Sequence, residues 1–538
     1  MELMMGVMNR IGIWVLALLA GGMIACSDKQ DEKKLEEPVP SNAVEKQVTL
    51  NAALTYQTVA GFGASDAWQP AWVGKYWTGS RDRLSELLFS QEIADGQPKG
   101  IGLSMWRVNL GAGSAEQGDA SGINTVTRRA ESFLTADGSY DWEKCMGQRY
   151  FMQRARELGV EKFILFSNSP PVQYTYNGQG RSDRGGHANL KSEYFDDFAD
   201  YLVDVTSHFH ADGYNITHIS PVNEPQYNWD GHDQEGSGWT NEEIATLMRE
   251  LDRSLTERSL PVDILLGESG DWEYFYKSKG DRARSYVISD FFNPERPTYI
   301  GDLKHLKNLI SGHSYWTDGS WDGMRSVRSK VADIAREYDL EVWQSEWSMI
   351  GDGYSSSEYV GHENATTMDI ALYMSKVIHN DLTVAGVTSW SFWTAMDVAH
   401  WGHQNRFLLI SLTPDGGEWG DVMSGDGTFA ATPTLWVLGN YSRFIRPGYK
   451  RIELSMNESR SFFGSGYLSP DGKQLVVVYT NLSDKPVQLI ETREGWDSSV
   501  AVKTYTTSSV KELQEAVTAP GKPVVLDAAS VTTVVYQL

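Results

Sequence analysis

Cysteine is almost absent from this chain of 538 residues. Cys26 and Cys145 are its only two cysteines, which excludes a disulfide framework and any Cys-rich metal site. Positive charge is also scarce: 47 Lys and Arg stand against 71 Asp and Glu, a formal charge of −24. Phosphate backbones would be repelled, so nucleic acid is not a partner. The 11 histidines include no His-Glu-x-x-His or similar spacing, so no metal is expected. No phosphate loop is found and no cofactor is called for. Gly61-Phe62-Gly63-Ala64-Ser65-Asp66 lacks a third glycine and reads as a tight turn at a strand end. There is no Gly-x-Ser-x-Gly elbow, which speaks against a serine hydrolase. What is present is the composition of a folded protein, 41% apolar, 22% charged and rich in rings, with 19 Trp and 25 Tyr. The length leaves room for one large barrel and a smaller partner.

The first 25 residues read as a targeting segment. Arg10 supplies a positive flank, and the apolar run Ile11 to Gly22 covers 12 residues, too few for the roughly 20 of a membrane span. The run ends in Met23-Ile24-Ala25-Cys26, which resembles a bacterial lipobox with Met23 in the place usual for Leu. That resemblance implies cleavage before Cys26 and lipidation of its sulfur. Residues 26–44 are charged, Pro-containing and poor in apolar side chains, as in a flexible tether. The start Ser-Asp-Lys-Gln-Asp-Glu is similar to the export tag of Bacteroides-type surface lipoproteins. The expected location is a lipid anchor in the outer membrane of a Gram-negative bacterium, facing outside. A periplasmic or secreted protein is the alternative, and a monomer is expected.

From Thr58 a beat of about 40 residues pairs an apolar run with an amphipathic helical stretch. Tyr194, Phe195, Phe198, Tyr201, Leu202, Val205 and Phe209 fall on one helical stripe. The chain then turns at Gly213 and re-enters as Ile216-Thr217-His218-Ile219-Ser220. Thr240 and Glu243 make a capping box for the next helix. Eight strand-like runs lie near 58–63, 101–109, 162–168, 216–224, 262–268, 308–315, 340–347 and 384–393. Eight βα units predict a (β/α)8 TIM barrel, an α/β fold, over residues 58–446. Residues 447–538 change to short alternating strands broken by turns such as Ser469-Pro470-Asp471-Gly472, the pattern of a β-sandwich. Residues 45–57 are expected to add a strand to it.

Reactive groups in such a barrel sit at the carboxyl ends of the strands. The fourth run ends Asn223-Glu224-Pro225, and the seventh ends Trp343-Gln344-Ser345-Glu346-Trp347. A carboxylate between two tryptophans is costly unless partners are supplied. Two carboxylates facing each other across a barrel mouth suit glycosidic bond cleavage. One protonates the leaving oxygen; the other attacks the anomeric carbon or activates a water. Strands four and seven set the shorter, retaining separation. Aromatic residues follow several strand ends: Trp68, Tyr174, Tyr176, Tyr227, Trp229, Trp272, Trp316, Trp390 and Trp393. Ring faces of this kind stack on sugar C–H faces, but many of these rings could equally be barrel packing, Trp390, two residues from Phe392, first among them. Cys145 reads as a half-buried thiol.

The chain resembles glycoside hydrolase family 30 over residues 45–538. The resemblance is carried by Gly61-Phe62-Gly63, Gly102-Leu103-Ser104 with Arg107, Asn223-Glu224-Pro225, His313-Ser314-Tyr315, Ser345-Glu346 and Ser530-Val531-Thr532-Thr533. It implies Glu224 as acid/base and Glu346 as nucleophile of a double displacement. It further implies that Asn223 holds a sugar hydroxyl, Tyr315 hydrogen-bonds the nucleophile, Arg107 orders the carboxylates, and Trp393 is a sugar platform. Asp66, Trp68, Tyr227, Trp229 and His313 are assigned to substrate binding, with His313 also readable as structural. The turn from Gly63 to Trp68 and the stretch from Trp106 to Glu116 look most like the endo-β-1,6-galactanase branch. A glucuronoxylanase would need an Arg and Tyr after strand eight, where Phe392-Trp393-Thr394-Ala395-Met396 stands. β-1,6-Glucanase or xylanase activity is the alternative, as is an inactive surface glycan-binding lipoprotein. The expected partner is a polysaccharide or oligosaccharide.

Overall fold

In the computed structural model the described residues are 39–350, 364–398, 406–416, 423–494 and 501–538. The targeting segment, Cys26 and most of the tether lie outside them. Among the described residues no helix is long and apolar enough to cross a membrane.

Eight parallel strands form the barrel: β1 (Gly61–Ser65), β2 (Met105–Asn109), β3 (Lys162–Phe166), β4 (Ile216–Ser220), β5, β6 (Leu309–His313), β7 (Glu341–Trp347) and β8 (Ser389–Phe392). β5 is split into Asp263–Ile264, paired with β4, and Gly267–Ser269, paired with β6. Leu265 N–H donates to Ile219 and Leu266 C=O accepts from Ser311, each at 2.8 Å. These two bonds carry the ring across the split, so the sheet closes on itself.

The strands are buried on both faces, as in any sheet sheathed by helices. Period two still sorts their side chains. On β2, Trp106 and Val108 join the large core against the helices, whereas Met105 packs with Ile164, Leu265, Leu309 and Trp343 inside the barrel. That inner cluster closes the floor and leaves Arg107 and Asn109, further along the same face, at the mouth. β7 departs from strict alternation: Gly312 pairs with Gln344 but His313 with Glu346. The extra residue is a bulge, a device that re-aims side chains. It lets Trp343 face the floor while Ser345 and Glu346 both face the site.

Helices supply the outer layer. Phe195–Ala211 buries Phe198, Tyr201, Leu202, Val205 and Phe209, the predicted stripe. Asn241–Glu257 starts at the predicted Thr240–Glu243 capping box, and Thr367–Asn380 at a second box from Thr366 and Asp369. The fourth strand stops earlier than its apolar run, at Ser220, because Pro221 has no N–H to continue the ladder. Asn223 and Glu224 therefore sit on the loop just beyond it.

Strands within Val44–Thr58 and Lys450–Gln537 form a separate, mostly antiparallel nine-stranded sheet whose buried face holds Val48, Leu475, Val477, Tyr479, Val487, Val534 and Tyr536. The N-terminal strand Val44–Thr58 lies inside this sheet, antiparallel to Lys450–Met456 and parallel to Val487–Glu494. Helix Pro433–Ser442 docks the sheet on the barrel: Asn440 Nδ2 donates to Tyr505 C=O and Thr533 Oγ1, both at 2.9 Å.

Candidate active site

Three carboxylates and two cations meet at the barrel mouth. Glu224, from the loop after β4, is 9% exposed; Glu346, on β7, is 4% exposed. The nearest ligand atoms of Glu224, His313 and Glu346 all lie within 4.8 Å of one another. Arg107 on β2 stands beneath them, 1% exposed. Its Nη1 donates to Glu346 Oε2 at 2.7 Å and to Ser65 Oγ at 3.0 Å. Its Nη2 donates to Asn223 Oδ1 and to Glu268 Oε2, both at 3.0 Å. The guanidinium lies 3.7 Å over the Phe166 ring, a stack that a lysine would not reproduce. Tyr315 O–H donates to Glu346 Oε1 at 3.0 Å.

Glu268, at the end of β5, was not singled out in the sequence. It is fully buried and accepts from Arg107, from His313 Nε2 at 2.9 Å, from Ser311 Oγ at 2.9 Å and from Ser345 Oγ at 3.1 Å. The signal that could have found it is the rule that found the others, since Ile264-Leu265-Leu266-Gly267-Glu268 is an apolar run ended by a carboxylate. Glu224 and Glu268 both have left-handed backbones, φ +41° and +45°. Non-glycine residues adopt that region at a cost, and functional sites are where such costs are retained.

The electrostatics follow from burial and charge. Burial alone pushes the Glu268 carboxyl up, but Arg107 and His313 outweigh it and hold the group at about 2. Burial pushes the His313 imidazolium down, yet Glu346, Glu224 and Glu268 raise it to about 10. Burial pushes the Glu346 carboxyl above its ordinary value; His313 and Arg107 pull it back, while Glu224 pushes it further up. Such a pair titrates as a unit. His313 Nδ1 lies 2.9 Å from Glu224 Oε1, so each ring nitrogen faces a carboxylate. In the protonated ring both nitrogens donate, and no lone pair is then left for a cation.

The aromatic residues divide. Trp68 and Trp393 form one wall, ring centroids 5.1 Å apart and edge to face. Tyr227 and Trp316 form the other side, with Trp316 Nε1 donating to Tyr227 OH at 3.0 Å. Trp229 packs edge to face on Tyr227 and donates to the Glu224 backbone carbonyl at 3.1 Å. Gly270 is required there: a Cβ would come within 2.6 Å of the Tyr227 ring. Three predicted mouth residues lie elsewhere. Trp272 and Trp390 are fully buried in the outer core, and Tyr174 stacks on Tyr194. Asp66, assigned to substrate binding, is turned inward and fully buried. It accepts from Asn109 N–H at 2.7 Å and Gln148 Nε2 at 3.0 Å, which fixes the loop under Trp68. Cys145 is buried rather than half-buried.

The sequence profile of O-glycosyl hydrolase family 30 matches residues 45–404. An endo-β-1,6-galactanase of Hypocrea rufa is 25% identical over 456 residues, 81% of each chain. Glucuronoxylanase XynC of Bacillus subtilis (strain 168) is 23% identical over 472 residues, 87% of this chain and 85% of its own. Among solved structures, a conserved exported protein from Bacteroides fragilis is 31% identical with a TM-score of 0.84, across 91% of this chain and 100% of that one.

Proposed function

Because the chain belongs to O-glycosyl hydrolase family 30, we propose that it is a retaining endo-β-1,6-galactanase with Glu346 as nucleophile and Glu224 as acid/base. The observation that carries the mechanism is spacing. The nearest carboxyl oxygens of the pair lie within 4.8 Å, close to the roughly 5–5.5 Å of retaining sites and short of the roughly 6.5–9.5 Å that inverting enzymes hold open for a water. Glu346 attacks the anomeric carbon as the glycosidic C–O bond breaks, and the leaving oxygen takes the proton of Glu224. A water then attacks the same carbon, gives its proton to the Glu224 carboxylate and frees Glu346. One water is consumed and configuration is kept.

The surroundings suit these roles. Tyr315 and Arg107 each donate to one oxygen of Glu346 and so fix its orientation. Asn223 gives its oxygen to Arg107, which leaves its amide N–H as the donor for a sugar hydroxyl. Trp68 and Trp393 bracket the sugar on the nucleophile side. Tyr227, Trp229 and Trp316 flank the acid and receive the leaving segment.

The substrate assignment rests on neutral-sugar chemistry. Trp393 to Val398 contains no basic side chain, and nearby Arg128 is paired with Asp397 at 2.9 Å. Among the described residues a uronate carboxylate therefore meets no basic side chain on Trp393 to Val398, which favours galactan over glucuronoxylan, and the likeness to the Hypocrea rufa galactanase supports the same assignment. Incubation with β-1,6-galactan, β-1,6-glucan and glucuronoxylan should release oligosaccharides from galactan first. An NMR time course should show product of the original anomeric configuration. Preferred cleavage of either other glycan would overturn the substrate, and inverted product the mechanism. The reading extends to location: lipidation at Cys26 would hold the enzyme at the cell envelope, in keeping with the exported relative.

A further inference from the structure

The buried residues form an unbroken chain of hydrogen bonds: Glu224 to His313, His313 to Glu268, Glu268 to Arg107, and Arg107 to Glu346. Its centre is Glu268, which reaches neither the cleft nor solvent. We infer that Glu268 is a positioning residue that keeps both ring nitrogens of His313 protonated, so that a standing imidazolium donates to Glu224 and faces Glu346. The inference builds on the roles proposed above for Glu224 and Glu346, although the state of His313 is read independently of them.

The geometry argues it in three steps. First, Glu268 is held as an anion, because the equally buried Arg107 guanidinium donates to its Oε2 at 3.0 Å and Ser345 Oγ donates to the same oxygen at 3.1 Å. Second, a neutral imidazole has only one N–H. Were His313 neutral, a bare Nε2 would face the Glu268 carboxylate, or a bare Nδ1 would face Glu224 and either meet a carboxylate or hold the acid proton needed for the leaving oxygen, each at 2.9 Å. Third, the groups facing His313 from every packed element are of one sign or neutral. Glu224 comes from the loop after β4, Glu268 from β5, and Glu346 Oε1 stands 3.7 Å away on β7. The Tyr315 ring packs edge to face at 5.5 Å. Arg107, the other cation, reaches His313 only through the shared oxygen of Glu268. The raised value of His313 agrees with this arrangement.

The consequence is chemical. The imidazolium N–H stands ready to donate to the Glu224 oxygen once its proton has passed to the leaving oxygen. Without Glu268 the ring would hold one proton, and Glu224 would lose that donor.

The sign of a pH shift tests this. In Glu268→Gln, loss of one negative charge by itself makes Glu224 and Glu346 easier to ionise and moves both limbs of the kcat/KM profile to lower pH. Loss of the imidazolium, in direct contact with Glu224, moves them higher. We expect the alkaline limb to rise by on the order of one pH unit, and Glu268→Asp to restore part of the original profile. In parallel, 15N NMR of histidine-labelled protein, with His313 assigned by its absence from His313→Asn, should show both nitrogens protonated throughout pH 5–8. In Glu268→Gln the same ring should be neutral at pH 7.5. A profile that shifts down or stays in place overturns the inference, as does a wild-type ring that titrates near its ordinary value. The wild-type spectrum needs no variant of Glu268 to fold. If Glu346→Gln keeps its turnover, the functional reading fails while the His313 signals still stand.

Discussion

Replacing Arg107 by Met should destabilise the protein in a way that fades in acid. Met keeps much of the stem that packs under the site, but Glu346 and Glu268 lose their shared cation at 2.7 and 3.0 Å. The size of the loss can be worked from Glu268, whose carboxyl is held at about 2 against an ordinary 4.5. A shift of that size corresponds to roughly 3 kcal/mol of folding free energy at neutral pH, shared between Arg107 and His313. Breaking a buried ion pair by removing one partner costs about 3–5 kcal/mol, so the two routes agree in scale. A depressed carboxyl stabilises the fold above its unfolded value, and that contribution is lost as pH falls through the folded one. The gap between Arg107→Met and the native protein should therefore be about 2–4 kcal/mol at pH 7 and shrink between roughly pH 4.5 and 2. Urea unfolding midpoints across pH 7 to 3 provide the assay. A gap that is constant with pH would mean that Arg107 contributes packing alone, and one under about 1 kcal/mol at pH 7 would refute the charge argument.

Two further outcomes separate the roles of the catalytic pair and the leader. Glu346→Gln should abolish turnover in a protein that still folds, while Glu224→Ala should spare substrates with good leaving groups more than natural glycan; equal losses on both substrate types would sink the acid assignment. Cys26→Ala should move the protein from the membrane to the soluble fraction with its activity kept, because lipid chains hold by about 0.8 kcal/mol per buried methylene; unchanged fractionation would contradict lipidation.

The barrel was legible because each strand is sealed on both faces. An unalternating apolar run such as Phe163-Ile164-Leu165-Phe166 does not belong to a half-wet sheet. Glu224 and Glu346 were legible because their immediate neighbours, Asn223 and Pro225 or Trp343 and Trp347, mark the strand ends in one dimension. Glu268 also ends an apolar run, but with Gly267 and Ser269 beside it in place of an amide, proline or tryptophan. Its partners Arg107, His313, Ser311 and Ser345 come from β2, β6 and β7, and only closure of the ring assembles them. The split of β5 and the bulge at Ser345 were hidden for the same reason, since each answers to a neighbouring strand's register. Trp272 misled because a large ring after a strand end reads alike whether it lines a cleft or fills the core. Here the absence of a side chain at Gly312 opens the space beside its ring.

On the roles proposed for Glu224 and Glu346, the charge arrangement gives a third carboxylate a place in a two-carboxylate mechanism. Bond cleavage builds positive charge on the sugar, and a site with net positive charge would oppose it. Arg107 and His313 orient Glu346 and Glu224, yet each brings a full cation to within 3.7 Å of a reacting carboxyl group. With Glu224 protonated for its proposed first step, the two cations are matched by Glu346 and Glu268, so a nearly dry pocket, where charges act at their strongest, stays neutral. Glu268 supplies the second negative charge from beneath, bonded to both cations and fully buried. Orientation by cations and stabilisation of a cationic transition state are thereby made compatible, which Arg107 and His313 could not achieve with the catalytic pair alone.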